Sequence, residues 1–78
     1  MDILTQMQSE EPMKQLSLGQ RLRVLREQKG WTIYRLARES GLLPSVVTRI
    51  EDGRTTRPAF QTMRQITKSL GVSLEVFR

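Results

Sequence analysis

The 78-residue sequence contains no cysteine and no histidine. Without cysteine there is no disulfide framework and no thiolate metal site, a composition that fits a reducing compartment. Without histidine the commonest general base and the commonest metal ligand are both missing. No apolar run is long enough to cross a membrane, and the opening MDILTQMQSEEPMKQ lacks the basic start and apolar middle of a signal peptide. No pair of carboxylates shares one face, no Ser-His or Cys-His set is present, and the glycines stand singly as turn residues rather than as a phosphate-binding loop. Catalysis, a resident metal and a cofactor are therefore not expected. The length allows one small domain with a modest core, the size at which a partner or a second copy often helps hold a fold together.

What is present in quantity is positive charge. Thirteen Lys and Arg stand against eight Asp and Glu, for a net +5. The charge is uneven along the chain: residues 1–16 sum to −2, and residues 17–78 to +7. Ten of the twelve bases in that second segment are arginine. A small, basic, arginine-rich domain suits a polyanionic partner, while a solvated surface that merely favours arginine is the alternative on composition alone.

Residues 1–16 read as an acidic arm, polar and broken by Pro12, with Ile3, Leu4 and Met7 as a short apolar stripe able to dock on a partner. Periodicity begins at Ser17. Ser17 and Gln20 form a capping-box pattern, Leu18, Leu22 and Leu25 follow at helical spacing, and Gly30 closes the segment. Thr32 caps a second short helix carrying Ile33, Leu36 and Ala37, which Gly41 interrupts. A third runs from about Pro44 to Asp52 and stops at Gly53, since proline suits the first helical turn. A fourth has Phe60, Met63, Ile66 and Leu70 on one face and Gly71 as its cap, and Ser73 caps a last turn with Leu74 and Phe77. No segment alternates as a strand does. The expected fold is all-α, five short helices over residues 17–78. Leu22, Leu25, Leu36, Val47, Ile50, Phe60, Ile66 and Leu74 are expected in the core and Trp31 as a core plug.

Helices two and three, each short and joined by a tight turn at Gly41, have the layout of a helix-turn-helix. Val47 and Ile50 anchor the third helix, so Ser45, Val46, Thr48 and Arg49 should face outward. A Ser, a Thr and an Arg with a small apolar side chain beside them are groups that base edges accept. They are equally ordinary residues for a solvated helix face.

The ordered series LR-LRE-KGWT (Leu22 to Thr32), LA (Leu36, Ala37), RIE-G (Arg49 to Gly53), R-TRP-F (Arg54 to Phe60) and LGVSLE (Leu70 to Glu75) resembles the Cro/C1-type (Xre) family of helix-turn-helix proteins, the lambdoid phage repressor domains and their relatives. It covers roughly residues 17–78, nearly the whole of the periodic part of the chain. The resemblance implies the five-helix lambda-repressor-like fold and homodimers on double-stranded DNA, with the third helix in the major groove and the second across the backbone. Base contacts would fall to Ser45, Thr48 and Arg49, with Val46 beside a thymine methyl as an open alternative. Pro44 occupies a further base-reading position and cannot hydrogen-bond a base. Phosphate contacts would come from the start of the second helix, Thr32 and Tyr34, and from the loop Arg54, Thr55, Thr56 and Arg57. Ile33 stands where relatives usually carry glutamine, so that contact is lost. Asp52, an acid beside the clamp, either turns away or serves as a cap. Arg26 and Glu51 correspond to a structural pair joining the first and third helices, and Val76 and Phe77 to an edge where family dimers meet.

The function expected from these readings is a sequence-specific transcriptional regulator, a repressor on a palindromic operator, cytoplasmic and associated with a bacterial or phage nucleoid. A chain with little beyond such a domain resembles small regulators of phages, mobile elements and restriction-modification systems. The alternative is an antitoxin that binds a toxin through the arm and represses its own promoter.

Overall fold

The computed structural model describes residues 15–77. All but the last two residues of the acidic arm, including its apolar stripe, lie outside the described residues, as does Arg78. Four α-helices lie wholly within them: α1 (Leu18–Gln28), α2 (Ile33–Ser40), α3 (Pro44–Glu51) and α4 (Phe60–Leu70), followed by a 3₁₀ turn at Leu74–Phe77. The described residues contain no strand, as the periodicity predicts. The expected fifth helix is replaced by that single turn. The Val76 N–H reaches back to the Ser73 carbonyl in the tight three-residue pattern, and the Ser73 hydroxyl accepts the Glu75 N–H. Four residues closed in this way end before an α-helix can propagate.

Local chemistry sets the helix ends. Ser17 and Gln20 form the reciprocal capping box at the start of α1. The Thr32 hydroxyl oxygen accepts the Arg35 N–H at 3.0 Å and starts α2. At the end of α2, Gly41 adopts φ 68° and the Leu42 N–H returns to the Ala37 carbonyl at 2.8 Å. This left-handed cap turns the chain sharply and folds Leu42 back toward the core. The bond pattern recurs after α1, where Trp31 reaches Arg26, and after α4, where Val72 reaches Thr67. Helix α3 has no side-chain cap; Leu43 precedes Pro44, whose missing N–H is harmless at the first helical position.

Helix α3 is the central wedge, packed against both α1 and α2. Helix α4 covers α2, and the 3₁₀ turn rests on α1 and α4. Leu22, Leu36, Ala37, Val47, Ile50, Met63, Ile66 and Leu70 form the buried cluster. Leu25, Leu74 and Trp31, expected inside, are half-buried and pack on its rim. Phe60 departs from expectation, at 68% exposed. It is the first residue of α4, and because side chains tilt toward a helix's N-terminus, its ring projects off the helix end rather than onto the core. Polar contact also joins α2 to α4. The Ser69 hydroxyl donates to the Ile66 carbonyl, so the Ser40 hydroxyl donates to Ser69, at 2.7 Å.

The close approach of α1 to α3 depends on Gly19. A Cβ there would collide with the Ile50 carbonyl oxygen and come within 2.9 Å of the Glu51 carbonyl oxygen, both backbone atoms at the end of α3. Gly19→Ala is therefore expected to destabilise the domain by about 1–3 kcal/mol through overpacking, despite alanine's better helix propensity. Urea unfolding checks this; a variant as stable as the parent would mean that α1 and α3 can separate freely.

Candidate nucleic-acid interface

Helix α3 is held from behind by Val47, Ile50 and Glu51, all buried. The hundred-degree rotation per residue then sends Ser45 and Arg49, one turn apart, to the opposite side, where both are exposed. The two other residues expected to face outward sit on the shoulders of this strip. Val46 is half-buried and packs on the core cluster. Thr48 is half-buried, and its hydroxyl donates to the Pro44 carbonyl at 3.1 Å. Ser45 and Arg49 are thus the side chains that α3 presents without reserve.

The back of α3 carries an ion pair as well as apolar contacts. The Glu51 side chain is fully buried. Arg26 of α1 grips it with two bonds, Nε to Oε2 at 2.7 Å and Nη2 to Oε1 at 3.0 Å. Arg26 Nη1 donates to the Trp31 carbonyl at 2.8 Å, and Arg23 adds a 3.3 Å bond to Glu51 Oε1. The bond to Glu51 holds the Arg26 guanidinium above its ordinary pKa against the opposing effect of burial.

Beyond α3 the loop folds back on the helix. The Thr55 N–H donates to the Arg49 carbonyl at 2.9 Å. Asp52 binds its neighbour two residues on: Oδ1 accepts the Arg54 backbone N–H at 3.1 Å, and Oδ2 accepts Arg54 Nε at 2.9 Å and Nη2 at 2.6 Å. Bonds from the Arg54 side chain, then from its backbone, hold the Asp52 carboxyl below the usual carboxylate range. The same contact raises the Arg54 guanidinium. Arg54, read as a phosphate ligand, is therefore paired within its own loop. Thr56 and Arg57 are exposed and Thr55 is half-buried.

At the start of α2, Tyr34 is 75% exposed, and the Thr32 oxygen is engaged as the helix cap. Arg35 bonds Glu39 and sits over the Trp31 ring, 5.0 Å from its centroid, with Lys29 Nζ at 4.7 Å. At the other edge, Val76 and Phe77 are half-buried. Phe77 leans on the core, and the Val76 carbonyl accepts Arg21 Nη1 at 3.4 Å. Arg21, one of the thirteen bases, is itself buried. Sequence reasoning missed Arg21, Arg23 and Gly19. The one available signal was the position of Arg21 and Gly19 beside Leu22 and Leu18 on the core-facing stripe of α1.

Of the thirteen bases, Arg23, Arg26, Arg35 and Arg54 are committed to carboxylates. Arg49 and Arg57 have no such partner among the described residues. Helices α2 and α3, joined by the turn at Gly41, form a helix-turn-helix with the outer face of α3 displayed. The chain belongs to the Cro/C1-type (Xre) helix-turn-helix family: the family model described as "Helix-turn-helix domain" matches residues 17–78. It is similar to three regulators of Bacillus subtilis (strain 168). The HTH-type transcriptional regulator SlrR is 37% identical over 73% of this chain and 38% of its own length. The HTH-type transcriptional repressor RghR is 34% identical over 76% of this chain and 44% of its own length. The HTH-type transcriptional regulator SinR is 32% identical over 73% and 51%. The chain thus spans about half or less of the length of these relatives. Among solved structures, SinR in complex with DNA superposes with a TM-score of 0.75 at 30% identity, over 77% of this chain and 95% of that one. The solution structure of the SinR N-terminal DNA-binding domain gives 0.68, over 76% and 86%. The family is one of regulators, not enzymes.

Two outcomes are expected from this geometry. Glu51→Gln leaves Arg26 buried without its counter-charge and should cost about 3–5 kcal/mol, a large share of what a small domain has. Circular dichroism melts would read it, and a melting temperature within a degree of the parent would contradict the role assigned to the pair. In an NMR titration the Asp52 carboxyl should titrate below the ordinary aspartate value of about 3.9. A depressed folded-state pKa means that the clasp is complete above that value and is lost as pH falls through the depressed one. Arg54→Ala should move the Asp52 titration back up.

Proposed function

We propose that this chain is the DNA-binding part of a transcriptional regulator that recognises a specific double-stranded sequence, acts as a repressor, and does so as a homodimer on a palindromic operator. The observation that carries the reading is the placement of Ser45 and Arg49 side by side on the outer face of a helix locked by Val47, Ile50 and Glu51 behind it. A rigid helix of that width fits the major groove, where a guanidinium can fork onto the two acceptors of a guanine and a serine can bond either kind of edge. Thr48 and Val46, on the shoulders of the strip, lie at the edges of such a contact, Val46 with a methyl surface for thymine. Pro44 contributes no hydrogen bond, which concentrates the reading on Ser45 and Arg49.

Around that helix, Arg57, Thr55 and Thr56 in the following loop, with Tyr34 and Thr32 at the start of α2, would bind phosphates and set the register. The relatives' descriptions as regulators and a repressor, and the neighbour solved with DNA, support the reading. Two-fold pairing would bring two copies of α3 to half-sites about one helical turn apart. Val76 and Phe77, half-buried in the 3₁₀ turn, offer the apolar edge for it.

Selection of bound duplexes from a random pool, at stated salt, tests the whole proposal; a palindrome is the expected product, and an unenriched pool would sink it. On the selected site, Arg49→Ala should cost about 1–3 kcal/mol and relax preference at one base position. Arg57→Ala should weaken all duplexes alike and lower the salt slope by about one. If both variants bind selected and random duplex as the parent does, the residue assignment is wrong.

A further inference from the structure

The outward strip of α3 does not end at Arg49. Asp52, the C-cap of α3, lies three residues further on, on the same side of the helix as Ser45 and Arg49, and is exposed. It places a carboxylate at the end of the face read above as DNA-facing, in a segment that is otherwise strongly basic. That carboxylate accepts three N–H bonds, and all three come from Arg54. One is a backbone bond that shapes the turn. The other two take the Nε and Nη2 edge of the guanidinium, the fork that would otherwise clasp a phosphate. The Arg54 side chain remains 67% exposed, so a phosphate can reach it, but only in competition with a fixed carboxylate that is already bonded.

We propose that Asp52 is a specificity-determining residue that restrains Arg54, and thereby suppresses binding to DNA irrespective of sequence. The inference rests on the DNA-binding reading above. A loop arginine adds affinity for every duplex equally, because phosphates carry no sequence information. Base contacts from Ser45 and Arg49 add affinity only at the right site. Neutralising one loop arginine internally lowers the first contribution and leaves the second. The ratio of specific to non-specific binding rises while absolute affinity falls. Exposed ion pairs are weak, so the clasp can open where the fit of a cognate site presses a phosphate against Arg54.

The charge and the turn-shaping bond can be separated. Asp52→Asn keeps an oxygen for the Arg54 N–H and removes only the charge. Binding of parent, Asp52→Asn, Arg54→Ala and the double variant to a selected duplex and to a random one is measured by fluorescence anisotropy between 50 and 200 mM salt. Asp52→Asn is expected to bind random duplex more tightly than the parent at low salt. Its affinity there should fall about threefold more than the parent's across that salt range, the signature of one added phosphate contact. Arg54→Ala leaves the Asp52 charge unpaired and should bind random duplex more weakly than the parent, and the double variant, again without net charge there, should return to about the parent's affinity. An Asp52→Asn variant no tighter than the parent, or a double variant as tight on random duplex as Asp52→Asn alone, overturns the proposal while leaving the DNA-binding reading intact. Failure of the parent to bind either duplex overturns both.

Discussion

The fold hinges on a carboxylate that cannot be left alone. Glu51 is the last residue of α3, where the negative end of the helix dipole opposes an acid, and its side chain has no access to water. Arg26 meets both of its oxygens, and Arg23 adds a further bond. One guanidinium thereby joins three pieces of chain: α1, from which it comes; α3, through Glu51; and the link to α2, through the Trp31 carbonyl. The link is reciprocal, since the Arg26 carbonyl accepts the Trp31 N–H. An apolar contact at that point would stabilise the domain and still permit sliding. A forked, directional bond with a desolvated partner does not, and the helix it fixes is the one that displays Ser45 and Arg49.

Gly19 and the apolar anchors complete the same constraint. Gly19 lets α1 lie against the carbonyls of Ile50 and Glu51, which brings Arg26, seven residues on, within reach of the carboxylate. Val47 and Ile50 fill the space between α1 and α2. Helix α3 needs this support more than its neighbours do. It is eight residues long and lacks a side-chain cap, and an isolated helix of that length is not stable in water. Its helicity is therefore a product of packing, and packing also determines which of its residues face out. Stability and the choice of outward residues share one cause here.

That dependence explains what the sequence disclosed and what it withheld. Helix starts and stops rest on neighbours a few residues apart, so Ser17 with Gln20, Thr32, Gly41 and Gly71 were all legible. The inward positions of Leu22, Leu36, Val47, Ile50 and Ile66 followed from period alone. Arg26 and Glu51 are twenty-five positions apart, and nothing local pairs them; they became legible only through family resemblance. Phe60 was misplaced because periodicity treats the first residue of a helix like any other and ignores the tilt of its side chain off the end. The final turn was overread because Leu74 and Phe77 share a helical spacing that four residues cannot sustain. On the outward face, period separated Ser45 and Arg49 correctly from the core. It could not show that Thr48 bonds its own helix, or that Asp52 and Arg54 would find each other.

The charge of the domain takes on a different meaning once these pairs are placed. Each of the four helices carries a base in its last turn, Arg26, Arg38, Arg49 and Lys68, where it favours the helix dipole whatever the partner. Arg23 and Arg26 serve Glu51, Arg35 serves Glu39 and Trp31, and Arg54 is held by Asp52. An arginine count therefore overstates the field available to a polyanion, and it cannot locate the interface. The interface proposed above rests instead on a subset left without carboxylates, Arg49 on a helix that packing holds in place and Arg57 in the loop after it. In the proposed DNA-binding role, few free charges on a fixed helix would favour discrimination over sheer affinity, because each phosphate contact strengthens wrong sites as much as right ones.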